Sequence, residues 1–208
     1  MALSFRIRRK KKTPDQNINV QNALEIIGSK PVVLIGLMGA GKTSVGRYLA
    51  RKLSLPFNDA DFEIEKAAGL SISEIFEKHG EEYFRTGERR VIRRLMGEGA
   101  KVLATGGGAF MCERTRLLIQ ELGLAVWLKA DIDVLMRRVS RRDTRPLLRT
   151  EDPQAVMQAL MDQRYPIYGE ADVVVQSRDV PHDVIVDEII EGIGKLPKTD
   201  NSISPPQK

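Results

Sequence analysis

Apolar and polar residues follow two rhythms along this chain. Short, nearly unbroken apolar runs, of the kind shown by strands buried on both faces, occur at residues 31–35 (PVVLI), 101–105 (KVLAT), 124–128 (LAVWL) and 171–175 (ADVVV). Residues 55–58 (LPFN) read as a further short strand ending at Asp59-Ala60-Asp61. Between these runs, apolar residues recur at helical spacing. Val45, Tyr48, Leu49 and Leu53 do so with Arg47, Arg51 and Lys52 between them. Further helices are expected over 21–27, 62–68 (stopped by Gly69), 81–96, 115–122 (closed by Gly123), 153–165 and 182–193. Ser71-Ile72-Ser73-Glu74 has capping-box spacing for another, and Asp131 caps one that carries Arg137, Arg138, Arg141 and Arg142. Five strands alternating with helices predict an α/β fold, a three-layer α/β/α sandwich around a parallel sheet. One domain over 21–196 is expected, with a basic arm at 1–20 and a polar tail at 197–208, both too poor in apolar residues to bury a core.

In such sheets ligands lie at the carboxyl ends of the strands, and three chemically distinctive patches directly follow predicted strands. The first, Gly36-Leu37-Met38-Gly39-Ala40-Gly41-Lys42-Thr43, matches G-x-x-x-x-G-K-[ST], the phosphate-binding P-loop. It stands between a predicted strand and a predicted helix, the context the motif requires. Its glycines let backbone N–H groups converge on phosphate oxygens, and the helix N-terminus adds partial positive charge. Gly39, Ala40, Gly41, Lys42, Thr43 and Ser44 are therefore the expected nucleotide contacts, with Lys42 on the outer phosphates and the Thr43 hydroxyl on Mg²⁺. A nucleoside triphosphate is the expected ligand.

The other two patches are Asp59-Ala60-Asp61 and Gly106-Gly107-Gly108. Two carboxylates one residue apart can divide labour, one toward Mg²⁺ and one toward an attacking hydroxyl; both could instead merely start a helix, but beside a P-loop the functional reading is favoured. Three successive glycines cost chain entropy, and backbone approach to a ligand is the compensating benefit. On the 81–96 helix, Arg85 and Glu88 border the inward stripe formed by Phe84, Val91, Ile92, Leu95 and Met96. An inward guanidinium needs an anion. Glu88 can supply it and leave donors for a second carboxylate, or the two can form a self-contained ion pair. Arg138, Arg141, Arg142, Arg145 and Arg149 surround a proline break; they read either as a solvated face or as a mobile lid, at about 138–150, that closes arginines over phosphates.

Composition narrows the partners. The formal net charge is +5, while residues 6–12 (RIRRKKK) alone carry six positive charges, so the rest is close to neutral and no nucleic-acid surface is expected on the folded body. A single cysteine, Cys112, allows no internal disulfide and fits a reducing cytoplasm. No apolar run approaches the roughly eighteen residues of a membrane span, and the N-terminus lacks the apolar core of a secretory signal.

Taken together, residues 36–47, Asp59-Ala60-Asp61, Phe84-Arg85-Thr86-Gly87-Glu88, Gly106-Gly107-Gly108, Arg145-Pro146-Leu147-Leu148 and Arg164-Tyr165 resemble the shikimate kinase family, over about residues 30 to 195. The resemblance implies a P-loop kinase of the nucleoside monophosphate kinase type, with a five-stranded parallel sheet and a mobile lid. It implies phosphorylation of the 3-hydroxyl of shikimate by ATP with Mg²⁺, on the chorismate route to aromatic amino acids, by a cytoplasmic monomer. By the same resemblance Lys42 and Arg145 contact phosphates, Thr43 and Asp59 serve the metal, and Arg138 stacks on adenine. Asp61, Arg85, Gly107 and Arg164 would hold shikimate, with Asp61 the candidate base. The basic arm departs from the family pattern. A gluconate or nucleotide kinase would share the P-loop and fold; a GTPase would need an Asn-Lys-x-Asp sequence, which is absent.

Overall fold

The computed structural model of the protein describes residues 14–140 and 151–198. Its strands are β1 Val32–Ile35, β2 Phe57–Asp59, β3 Val102–Ala104, β4 Leu124–Lys129 and β5 Val173–Gln176. They form one parallel sheet in the order β2-β3-β1-β4-β5. The helices are α1 Pro14–Ile27, α2 Lys42–Leu53, α3 Ala60–Ala68, α4 Ile72–Met96, α5 Glu113–Leu122, α6 Ile132–Val139, α7 Pro153–Tyr168 and α8 His182–Gly194. A single 3₁₀ turn covers Ala109–Met111.

The centre of the sheet is β1, whose four apolar residues are all buried because helices cover both faces. Val32 lies opposite Val102 on one side and Leu124 on the other, so the three central strands begin in step, and β4 runs two residues beyond the partner of Ile35. Leu34 and Val126 are register partners, as are Val126 and Val173, and this face meets α2 and α8. Gly46 permits the close approach of α2: a Cβ there would stand 2.6 Å from Phe57 Cε2 and 3.0 Å from Leu34 Cδ1. On the opposite face Trp127 packs edge-on to Tyr165 and Tyr168 of α7, with ring centroids at 4.8 and 5.8 Å, and α5 packs on β4 and α4. Three layers result, as the pattern of strands and helices predicts.

The chain leaves β1 for β2 and β3 on one side and later takes up β4 and β5 on the other. Connections from β1 and its two neighbours therefore diverge beside one another, which opens a crevice at the carboxyl edge. There the loops after β2, β3 and β1 are consecutive neighbours.

Three elements differ from the sequence expectation. Helix α1 starts at Pro14, not at residue 21, so the arm placed at 1–20 is too long. Ala23, Ile26 and Ile27 bury in the core beside α8, and with that anchor the helix runs back to a proline at its first turn. The helices expected on either side of residue 80 are one interrupted helix, α4, kinked where Gly80 adopts φ 78° and ψ 177°. Helix α7 continues through Pro166 to Tyr168, whose complete burial holds the last turn. Of the expected lid at 138–150, residues 141–150, including Arg141, Arg142, Arg145 and Arg149, lie outside the described residues. Among the described residues, no helix is long and apolar enough to cross a membrane.

Candidate active site

The loop after β1 is built by close packing. Gly36 takes φ 139°, and a Cβ on it would stand 2.7 Å from the Leu128 carbonyl oxygen of β4. The loop is also tied down from outside. Ser177 Oγ donates to the Ala40 carbonyl at 2.8 Å. Arg138 Nη1, from the last turn of α6, donates to Ser177 Oγ at 2.9 Å and to the Gly39 carbonyl at 3.3 Å. The Arg138 guanidinium also binds the Arg178 carbonyl at 2.7 Å and Asp179 at 3.1 Å. Lys42, at the start of α2, folds back so that Nζ donates to the carbonyls of Gly36 (2.8 Å) and Leu37 (3.0 Å). Gly39, Gly41, Lys42, Thr43 and Ser44 line a cleft of about 800 Å³. Ala40 does not: it is buried, and its N–H is directed to the Leu37 carbonyl at 3.1 Å.

The end of β2 meets this loop. Thr43 Oγ1 donates to Asp59 Oδ2 at 2.7 Å. The other Asp59 oxygen accepts the Asp61 N–H at 3.1 Å and caps α3. The two oxygens of Asp59 thus have separate partners, one starting the helix and the other accepting from the P-loop threonine. Thr43 and Asp59 together offer a hydroxyl and a carboxylate, hard oxygen donors that suit Mg²⁺. Among the described residues, no group of three or more His, Cys, Asp or Glu is placed to hold a metal. Asp61 faces the same cleft.

The end of β3 completes the floor. Thr105 is buried and donates to the Leu34 carbonyl at 3.1 Å, locking the start of the glycine run to β1. The glycines are needed for space. A Cβ on Gly106 would lie 2.8 Å from Asp61 Oδ1 and 3.0 Å from Glu88 Oε1; one on Gly108 would lie 2.5 Å from Arg85 Nη1 and 2.6 Å from Nη2. The Gly107 carbonyl accepts hydrogen bonds from Arg164 Nη1 (3.0 Å) and from the Tyr168 hydroxyl. Arg85 and Arg164, from α4 and α7, therefore abut adjacent glycines at the Asp61 end of the cleft.

Electrostatics at this end are tightly coupled. Glu88 is 2% exposed, and Oε2 accepts from Arg85 Nη1 at 2.8 Å. Burial raises the Glu88 pKa above the ordinary glutamate value, Arg85 opposes the rise, and the charge of Asp61 adds to it. Burial works against the Arg85 charge, but ion pairs with Glu88 and Glu81 hold its pKa above the usual arginine value. Two buried polar atoms here, Glu88 Oε1 and Arg164 Nε, have no hydrogen-bond partner among the described residues. Unpaired buried groups of this kind are costly unless a ligand or water completes them.

The fold thus gathers Lys42, Thr43, Ser44, Asp59, Asp61, Gly107 and Arg138 along one cleft and sets Arg85 and Arg164 behind its end. Sequence reasoning passed over the wall formed by residues 177–182, where Ser177, Asp179, Pro181 and His182 line the cleft. It also passed over Glu81, Thr105 and Tyr168. The 177–182 segment carries no motif, but it follows the carboxyl end of β5, which is signal enough in a parallel sheet.

A family model described as shikimate kinase matches residues 38–194. The chain is 59% identical over 167 residues to the shikimate kinase of Rhodopseudomonas palustris, covering 80% of this chain and 82% of that one. It is 56% identical over 168 residues to the shikimate kinase of Bradyrhizobium diazoefficiens, covering 81% of each. Among solved structures, shikimate kinase from Acinetobacter baumannii in complex with shikimate superposes with a TM-score of 0.76 at 36% identity, over 81% of this chain and 95% of that one.

Proposed function

The chain belongs to the shikimate kinase family, and from that premise we infer that it transfers the γ-phosphoryl group of ATP to the 3-hydroxyl of shikimate, giving shikimate 3-phosphate and ADP. The observation that carries the reading is the joining of two unlike ends in one cleft: a P-loop at one, and Asp61 and Gly107 at the other, with Arg164 and Arg85 set behind them against Gly107 and Gly108.

Each side chain has a role that its position supports. Lys42 moves from the loop carbonyls it now holds to the outer phosphates and stabilises the charge of the transferring group. Thr43 and Asp59 would hold magnesium, Asp59 through water, and the ion supplies charge neutralisation on the β- and γ-phosphates when bound. Arg138 borders the nucleotide end, where the adenine base would lie against it. Arg85 and Arg164 hold the acceptor's carboxylate, a bidentate partner for guanidinium groups. Asp61 orients the 3-hydroxyl and accepts its proton as the oxygen–phosphorus bond forms; the bond from the γ-phosphorus to the bridging oxygen breaks, and its electrons leave with ADP. Arg145, outside the described residues, is assigned to the closing lid and to the phosphates.

The test is ADP release by the purified protein with shikimate, gluconate, nucleoside monophosphates or no acceptor, at saturating ATP and Mg²⁺. Turnover with shikimate at least a hundredfold above the other acceptors is expected, with phosphorus NMR showing a new phosphate monoester. Equal or faster turnover with gluconate or a nucleotide overturns the reading.

A further inference from the structure

Arg85 has two carboxylate partners, and they are unlike each other. Glu88 is buried and holds Nη1 at 2.8 Å. Glu81, one helical turn earlier, is 68% exposed and spans Nε and Nη2 through the single oxygen Oε1, at 3.3 and 3.2 Å. The Nε/Nη2 edge is a fork that matches a carboxylate with two parallel N–H bonds. Glu81 fills that fork with one oxygen and long bonds. Helix α4 resumes at Glu81 after the kink at Gly80, and the (i,i+4) spacing places Glu81 one turn before Arg85.

We propose that Glu81 is a stand-in for the acceptor's carboxylate: it occupies the Arg85 fork until a carboxylate-bearing acceptor displaces it, and so sets acceptor affinity and selectivity. The inference rests on the functional reading above. The exchange is physically cheap in one direction only. Glu81 is solvated, and an exposed ion pair contributes little to stability, so it can swing into water. Glu88 cannot leave without stranding a buried charge. The Arg85 guanidinium lies close against Gly108, and its Nη1 bond to the buried Glu88 anchors it on the side away from Glu81. An acceptor without a carboxylate leaves Glu81 in place and the guanidinium neutralised.

Glu81→Gln keeps the shape and removes the competing charge. Shikimate binding, measured by calorimetric titration and by KM, is expected to tighten about threefold to tenfold, with KM for ATP unchanged. Shikimate methyl ester, which lacks the charge, is expected to bind both proteins alike. Glu81→Ala should tighten shikimate binding in the same direction. Weaker shikimate binding in Glu81→Gln would show that Glu81 organises Arg85 for the acceptor, and unchanged binding would show that the two do not compete; either overturns the inference. An equal gain for the methyl ester overturns it as well. If the unsubstituted protein does not turn over shikimate, the functional reading fails and takes the inference with it; failure in Glu81→Gln alone leaves that reading intact.

Discussion

At the scale of single residues, the proposed roles separate charge stabilisation from proton transfer. Lys42→Ala removes the cation proposed to reach the γ-phosphate, so kcat is expected to fall by about three orders of magnitude or more, with circular dichroism confirming the fold. Near-normal turnover would place the chemistry elsewhere. The two aspartates should part company in kinetics. Asp59 bonds to Thr43 beside the P-loop, so Asp59→Asn should raise the Mg²⁺ concentration needed for half-maximal rate. Asp61 sits at the glycine run, so Asp61→Asn should retain ATP affinity by titration while kcat collapses. Loss of ATP affinity in Asp61→Asn comparable to that of Lys42→Ala would contradict the acceptor-side role.

Glu88 gives a residue-scale prediction in pH. Its pKa is raised in the folded protein above the ordinary glutamate value, by burial first and by Asp61 in addition, with Arg85 opposing the rise. The folded state therefore holds this proton more tightly than the unfolded chain, and stability from this group falls as pH rises. The contribution is complete below about 4.5 and is lost as pH passes upward through the folded value. In Glu88→Gln that pH dependence is absent. Urea midpoints measured from pH 4 to 8 should thus decline less with rising pH in Glu88→Gln than in the parent; a steeper decline in the variant would reverse the assigned sign.

At the scale of elements, what was legible in the sequence is what local chemistry specifies. Ser71 and Glu74 announce the start of α4 because each satisfies the other's backbone N–H, and the capping box is formed. Gly69 ends α3 in the left-handed conformation that glycine adopts without strain. The Arg85–Glu88 pair was legible from helical spacing alone. The extent of α1 was not, because its polar sequence carries little amphipathic signal and its stability comes from α8, far away in the chain. The 177–182 wall stayed hidden for a related reason: its bonds to Arg138 and Ala40 are tertiary and leave no spacing to read. The α1 finding sharpens a truncation experiment. Removal of residues 1–13 should leave kcat and both KM values within about threefold, a shift of under roughly 1 kcal/mol. Removal of residues 1–27 also deletes the buried Ala23, Ile26 and Ile27, and each isoleucine contributes roughly 1.5–3 kcal/mol by burial. A lowered thermal midpoint in the second truncation and not the first is the expected pattern. Equal midpoints would mean that α1 contributes nothing to the core.

At the scale of the whole molecule, the sheet order divides the cleft into two halves that share only the P-loop edge. The nucleotide half is assembled from the loop after β1, the end of α6 and residues 177–182, tied together through Arg138. The acceptor half is assembled from the ends of β2 and β3, with α4 and α7 behind the glycine run. The halves meet through the Thr43–Asp59 hydrogen bond, which involves neither Arg138 nor Arg85, so binding defects produced at those two arginines should be independent. Arg138→Ala loosens the loop that carries the Gly39 carbonyl and should weaken ATP binding about tenfold while sparing shikimate. Arg85→Ala should weaken shikimate binding by at least as much and spare ATP. For sites without shared partners, free-energy changes add to within about 0.3–0.5 kcal/mol, so each affinity in the double variant should match that of the corresponding single variant to within about twofold. Titration of each ligand alone tests the independence of the halves. Repeating each titration with the other ligand present tests what closure adds. If the double variant departs from the single-variant values in the first experiment, the halves are coupled through the apo protein itself, and the division drawn from the sheet order fails. If it departs only in the second, the coupling arises on ligand binding, where the arginine-rich segment after α6 is assigned to act.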